Sequence, residues 1–181
     1  MKNNTFTELS EKYRKYLIQV NYKKLSYYSV FGADLTKEEI DRLLIDKKGR
    51  FVLAYTIPNL VQFIKSCDWH SFDEENFSKW LLHINSGSIY TSFDLDSLIF
   101  HRERNNKELN DLYNLLGLLD DYSFQTEDNS LSHLLSQTEI QEFKDEMADA
   151  TLWSISKKVY LNPTLNKVFK DIYESLQLRI I

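Results

Sequence analysis

The chain has 181 residues, 43% of them apolar and 14% aromatic, with a net charge of −5, four glycines, two prolines and one cysteine. A chain of this length buries roughly 70% of its unfolded surface without needing disulfides or a structural metal. The lone cysteine excludes an internal disulfide and any multi-cysteine zinc site. The scarcity of glycine and proline argues against a sandwich or barrel, which needs a turn signal about every ten residues.

These limits predict one globular domain over residues 1–181. Its expected class is mainly α, a bundle-like helical fold with a small β element, with α+β as the alternative. The first residues carry no apolar core of a signal peptide, and the longest apolar runs, such as Phe51–Tyr55, are far short of a membrane span. A cytoplasmic protein that does not enter membranes is therefore expected.

Four capping boxes, each a Ser or Thr followed three residues later by Glu, mark helix starts. Thr5 and Glu8 precede Phe6, Leu9, Tyr13, Tyr16, Leu17 and Val20, which predicts a helix reaching Val20. Thr36 and Glu39 precede Ile40, Leu43 and Leu44, with Gly49 as the stop. Ser71 and Glu74 precede Phe77, Trp80, Leu81 and Ile84. Ser136 and Glu139 precede Ile140, Phe143 and Met147. Between these, Leu109 to Leu119 is apolar nearly all round, predicting a buried helix from Lys107 to Asp120. Asn162 and Pro163 open a last helix whose apolar face holds Leu165, Val168, Phe169, Ile172, Tyr173 and Leu176. Strand signals lie at 22–31, 88–93 and 153–161, while 51–57 fits a strand or a helix interior. Residues 125–130 read as an exposed loop.

Motifs for chemistry are sparse. The isolated glycines build neither a phosphate loop nor a dinucleotide fingerprint. The four histidines lack partners at metal-ligand spacing, and Asp46–Arg50 lacks the oxygen ligands of a calcium loop. No cofactor and no metal is expected. The one compact polar cluster holds His101, Arg102 and Arg104, and it gives the alternative reading of a helical enzyme or nucleotide-handling protein. The carboxylate pairs Asp94/Asp96, Asp120/Asp121 and Glu74/Glu75 read as caps and helix ends. Cys67 reads as a small core residue.

The strongest feature is an acidic block. Residues 120–149 hold Asp120, Asp121, Glu127, Asp128, Glu139, Glu142, Asp145, Glu146 and Asp149 against the single cation Lys144, a net −8. Glu139, Glu142, Glu146 and Asp149 fall on one face of the predicted helix beside the apolar stripe of Ile140, Phe143 and Met147. Like charges at these spacings cost about 0.2–0.5 kcal/mol per pair. A cost repeated at neighbouring positions suggests a use for the field, namely docking a basic partner. Such a field repels nucleic acid. Tyr122, within the block, is the aromatic expected to join that interface.

This acidic chain, rich in tyrosines (Tyr13, Tyr16, Tyr22, Tyr27, Tyr28, Tyr90, Tyr122) and without a catalytic motif, resembles the bacterial immunity proteins of contact-dependent growth inhibition. Its 16 lysines against 6 arginines fit that character. The resemblance implies a non-enzymatic inhibitor that neutralises a cognate basic toxin, commonly a nuclease, by standing in for nucleic-acid phosphates. No residue is carried over by motif, so the site residues come from the charge argument alone. A regulatory or phage-encoded adaptor shares the same acidic surface.

Overall fold

A computed structural model describes residues 4–36, 40–67, 71–84, 89–100, 103–153 and 161–181. The described chain forms two compact units, one from residues 1–93 with 177–181 and the other from residues 94–176.

In the first unit, α1 (Asn4–Tyr13) stops at Arg14, whose φ of 50° turns the chain out of the helix. The strand β1 (Lys15–Tyr22) follows, where a continued helix was expected. The reason is visible in burial: Tyr16, Leu17, Ile18 and Val20 are all buried, so consecutive residues face apolar surroundings on both sides of a sheet. A run buried on both faces has no period of its own, and it mimics a helical stripe.

β2 (Leu25–Ala33) pairs antiparallel with β1, Tyr22 opposite Leu25. Lys23 and Lys24 between them have φ of 51° and 62°, the doubly left-handed geometry that a tight hairpin requires. β3 (Asp41–Leu43) and β5 (Ile89–Asp94) complete a sheet in the order β3-β2-β1-β5. The short strands β4 (Phe51–Leu53) and β6 (Leu178–Ile180) pair in parallel. The helices α2 (Ile57–Ser66) and α3 (Glu74–Leu81) close the core. Leu17, Val30, Val52, Leu60, Phe77 and Trp80 belong to that one buried cluster.

Capping explains the other departures in this unit. The Thr36 amide and hydroxyl both donate to Asp34 Oδ1, at 3.0 and 2.6 Å, so Thr36 closes a local turn instead of capping a helix. Leu43 and Leu44, assigned to that helix from the sequence, are buried, and Leu43 ends the strand β3. Ser71 accepts from the Ile45 amide at 3.2 Å, and Asp73 caps α3 by accepting from the Asn76 amide at 3.2 Å. Phe51–Leu53 is a strand, and Thr56 with Pro58 then opens α2.

The second unit begins with a 3-10 helix, Leu95–Ile99, followed by α4 (Asn106–Thr126), α5 (Asn129–Leu135), α6 (Thr138–Trp153) and α7 (Pro163–Ser175). α4 has a reciprocal box: Asn105 accepts from the Glu108 amide at 3.0 Å, and Glu108 accepts from the Asn105 amide at 2.9 Å. Leu112, Leu115, Leu116 and Leu119 of α4 are fully buried. Ile140, Phe143 and Met147 of α6 are buried too, and Phe143 meets Phe169 of α7 edge-on at 5.8 Å. The stripe beside the acidic face is therefore core. Asn162 caps α7 as expected, accepting from the Leu165 amide at 2.8 Å. Residues 125–130 form a tight junction between α4 and α5 where a loop was expected. Of the expected strand 153–161, Trp153 ends α6 and 154–160 lie outside the described residues.

The class is α+β, which corrects the mainly α, bundle-like expectation. No described helix is long and apolar enough to cross a membrane.

Two glycines separate steric need from mere tolerance. An added Cβ at Gly32 stands 2.2 Å from the Arg14 carbonyl oxygen, whereas one at exposed Gly117 in α4 meets nothing within 4 Å. Gly32→Ala is expected to cost about 1–3 kcal/mol through forced backbone movement. Gly117→Ala is expected to stabilise by about 0.5–1 kcal/mol through helix entropy. Chemical denaturation of both variants checks the opposite signs.

Candidate functional site

Charge divides between the two units. Residues 94–176 hold sixteen acids and eight bases, a net −8, while the first unit holds eleven acids and fourteen bases, a net +3. In the second unit, α6 turns Glu142, Asp145, Glu146 and Asp149 outward because Ile140, Phe143 and Met147 are drawn into the core. Glu139 is half-buried.

The single lysine of the block does not relieve this face. Lys144 is pulled into an ion pair with Asp120 of α4. That bridge brings the acids of α6 beside the C-terminal half of α4, so Asp120 and the α6 carboxylates share one region. Asp121 beside it is half-buried. Glu127 ends α4 with φ of 53°, a left-handed geometry that favours glycine, and sits where the helix dipole disfavours an anion. Asp128 serves the local backbone, its Oδ1 accepting from the Ser130 and Leu131 amides at 3.1 and 3.0 Å to cap α5.

Tyr122, expected at the surface, is buried. It is 2% exposed, on the inner side of α4. Its place as surface aromatic is taken by Phe124, two residues on and 71% exposed. One turn before it on the helix stand Asp120 and Asp121. The 3.6 period predicts this exchange, since a helix that buries Leu115, Leu118, Leu119 and Tyr122 turns residue 124 outward.

Of the cluster His101, Arg102 and Arg104, the structure describes Arg104. The Arg104 guanidinium, 4% exposed as a residue, donates to the carbonyls of Ser97 and Phe100. His101 and Arg102 lie outside the described residues.

Asp94 and Asp96 do interact. Asp94 accepts from the Asp96 amide at 3.2 Å, and the Tyr173 hydroxyl donates to Asp96 at 3.2 Å. Burial, then the neighbouring Asp96 charge, push the Asp94 carboxyl above its ordinary range despite its backbone hydrogen bonds and Arg104. The folded state thus holds that proton more tightly than the unfolded chain. Its contribution is stabilising at low pH and is lost as pH rises through the folded pKa. Asp94→Asn keeps the cap, since Asn caps as well as Asp. The variant is expected to melt higher at neutral pH, with the gain vanishing below the carboxylate range in a pH series of melts.

No protein-family model and no curated protein matches the chain. Among solved structures, it is similar to the C-terminal domain of SatS, whose crystal structure is in complex with bromine. The match has a TM-score of 0.65 at 13% identity and covers 95% of this chain and 96% of that one. The likeness is one of fold.

Proposed function

We propose that the chain is a non-enzymatic, cytoplasmic protein-binding module whose acidic surface on the second unit engages a basic protein. The observation that carries this reading is the outward row Glu142, Asp145, Glu146 and Asp149, for which the block's one lysine, Lys144, offers no relief because it is held by Asp120. A field of this kind steers a basic partner and repels nucleic acid. Phe124, exposed beside Asp120 and Asp121, adds the apolar anchor that such interfaces use. The specific form of the proposal is immunity: the partner is a cognate basic toxin, a nuclease whose substrate groove the carboxylates fill in place of phosphates.

The test pairs binding with protection. Purified products of the genes flanking this one are passed over the immobilised chain and eluted with a salt gradient, and each is co-expressed with it. A basic protein released late, whose toxicity the chain abolishes, supports immunity. Binding without any toxicity to abolish favours the adaptor, and no retention at physiological salt removes the acidic surface as a docking site.

A further inference from the structure

The first unit holds a second charged feature, of opposite sign. The turn after Ile45 folds round the Asp46 carboxylate, which accepts from the Lys48 and Arg50 amides at 2.9 and 3.0 Å. Its other oxygen takes Arg50 Nε at 2.9 Å, Arg50 Nη2 at 2.6 Å and Arg179 Nη1 at 3.4 Å. Five donors saturate a carboxylate, which offers about four lone-pair sites. Burial would raise this carboxyl, but the Arg50 side chain and the turn amides hold it below the ordinary range, so it stays ionised.

Asp46 therefore acts as an anchor for cations. Each guanidinium carries five N–H donors, of which Arg50 commits two and Arg179 one to this carboxylate. Arg179 is further fixed by lying 4.9 Å over the Phe63 ring, a cation–π contact that holds its plane. Both arginines are partly exposed, at 36% and 40% of the side chain. They line a cavity of about 300 Å³ with Lys47, Lys48 and Cys67. Among the described residues, and leaving Lys47 aside, three cations face one buried, saturated anion. Holding like charges together without a ligand is costly, and planar forks beside a lysine suit tetrahedral oxyanions.

We infer that this cavity binds a phosphate group, supplied as inorganic phosphate or as a small organic phosphate. The two sources are distinguishable by a neighbouring feature. An apolar groove of about 620 Å³ along Ile57, Pro58, Val61 and Ile84 also includes Ser66, which lines the cavity as well. An ester has a body to lay there; inorganic phosphate has none.

The experiment is an amide-shift titration of the whole chain at constant ionic strength, with inorganic phosphate, phenyl phosphate and acetate as probes. The expected result is saturable shifts at Lys48, Gly49, Arg50 and Cys67 with both phosphates and a much weaker response to acetate. Tighter phenyl phosphate assigns an ester, and equal affinity assigns free phosphate. Arg179→Gln, at a partly exposed position, and Lys48→Gln, at an exposed one, each weaken binding about tenfold. Lys79→Gln, on α3 and outside the cavity, leaves it unchanged. Shifts that never saturate, acetate matching phosphate, or equal losses in the Lys79 and Arg179 variants would overturn the assignment. The single cysteine supplies an independent readout. A dianionic aromatic disulfide should modify Cys67 faster than a neutral one, and phosphate should slow that reaction only in the chain with Arg179 intact.

Discussion

Lys15→Met is expected to cost about 3–5 kcal/mol, a large fraction of the roughly 5–15 kcal/mol that holds an ordinary domain folded. Lys15 is fully buried at the start of β1, and its ammonium donates to Asp73 at 2.9 Å, to the Tyr13 carbonyl at 3.1 Å and to the Ala33 carbonyl. It also lies 5.4 Å over the Phe72 ring. Asp73 in turn accepts from the Leu35 amide at 3.2 Å and caps α3. One ion pair thus joins α1, the hairpin, the turn at 34–36 and α3. Methionine fills the volume but leaves a buried carboxylate without its counter-charge and two carbonyls without the ammonium, and the penalty is the desolvation of those groups.

The same pair sets an acid limit. Burial alone would raise the Asp73 carboxyl; the Lys15 hydrogen bond, the Leu35 amide and the Lys15 charge outweigh it and hold it below the ordinary range. A carboxyl lowered on folding stabilises above its unfolded pKa of about 3.9 and loses that contribution as pH falls through the folded value. Acid titration of wild type should show this loss, and Lys15→Met should show much less of it. Adding Asp73→Asn to Lys15→Met should recover part of the cost, because the orphaned charge is gone. A Lys15→Met chain as stable as wild type would mean the pair contributes nothing beyond packing.

Helices with a polar outer face were legible because their period survives in the residues. The α7 start at Asn162-Pro163 and the apolar stripe of α6 at Ile140, Phe143 and Met147 appear in the structure as the sequence implies, and the structure adds that this stripe is core and not interface. The sheet was not legible, for two physical reasons. β1 is buried through Tyr16, Leu17 and Ile18, so no alternation marks it. Its hairpin turns on Lys23-Lys24, which adopt left-handed backbone without the Asn-Gly signal that normally announces it. Capping boxes misled where a nearer carboxylate was available: Asp34 takes the Thr36 hydroxyl, and Asp73 displaces Ser71 as cap. The acidic residues were legible as charge, but their aromatic neighbour needed the helix phase, which exchanges Tyr122 for Phe124. The cationic cavity was invisible because Arg179 reaches Asp46 across 133 positions.

Reversing Glu142, Glu146 and Asp149 to lysine moves the second unit from −8 to −2. All three side chains are exposed, so the core face of α6 is untouched. The reversal turns the like-charge pairs 139/142, 142/145 and 145/149 into attractive ones and leaves 142/146 and 146/149 like-charged, so stability should stay equal or rise by about 0.2–0.5 kcal/mol per converted pair. Any loss of binding is then a loss of field, and it should appear in the association rate. A drop of about 10- to 1000-fold at low salt, with a flattened salt dependence, is expected once the partner is in hand. Phe124→Ala is expected to act differently. It removes a contact and no charge, so it should speed dissociation and cost more than about 1 kcal/mol with association nearly unchanged. Separate kinetic signatures from the two variants would divide the surface into a steering field and an anchor. An unchanged association rate in the triple reversal would show that the carboxylates face only water, however strong their field.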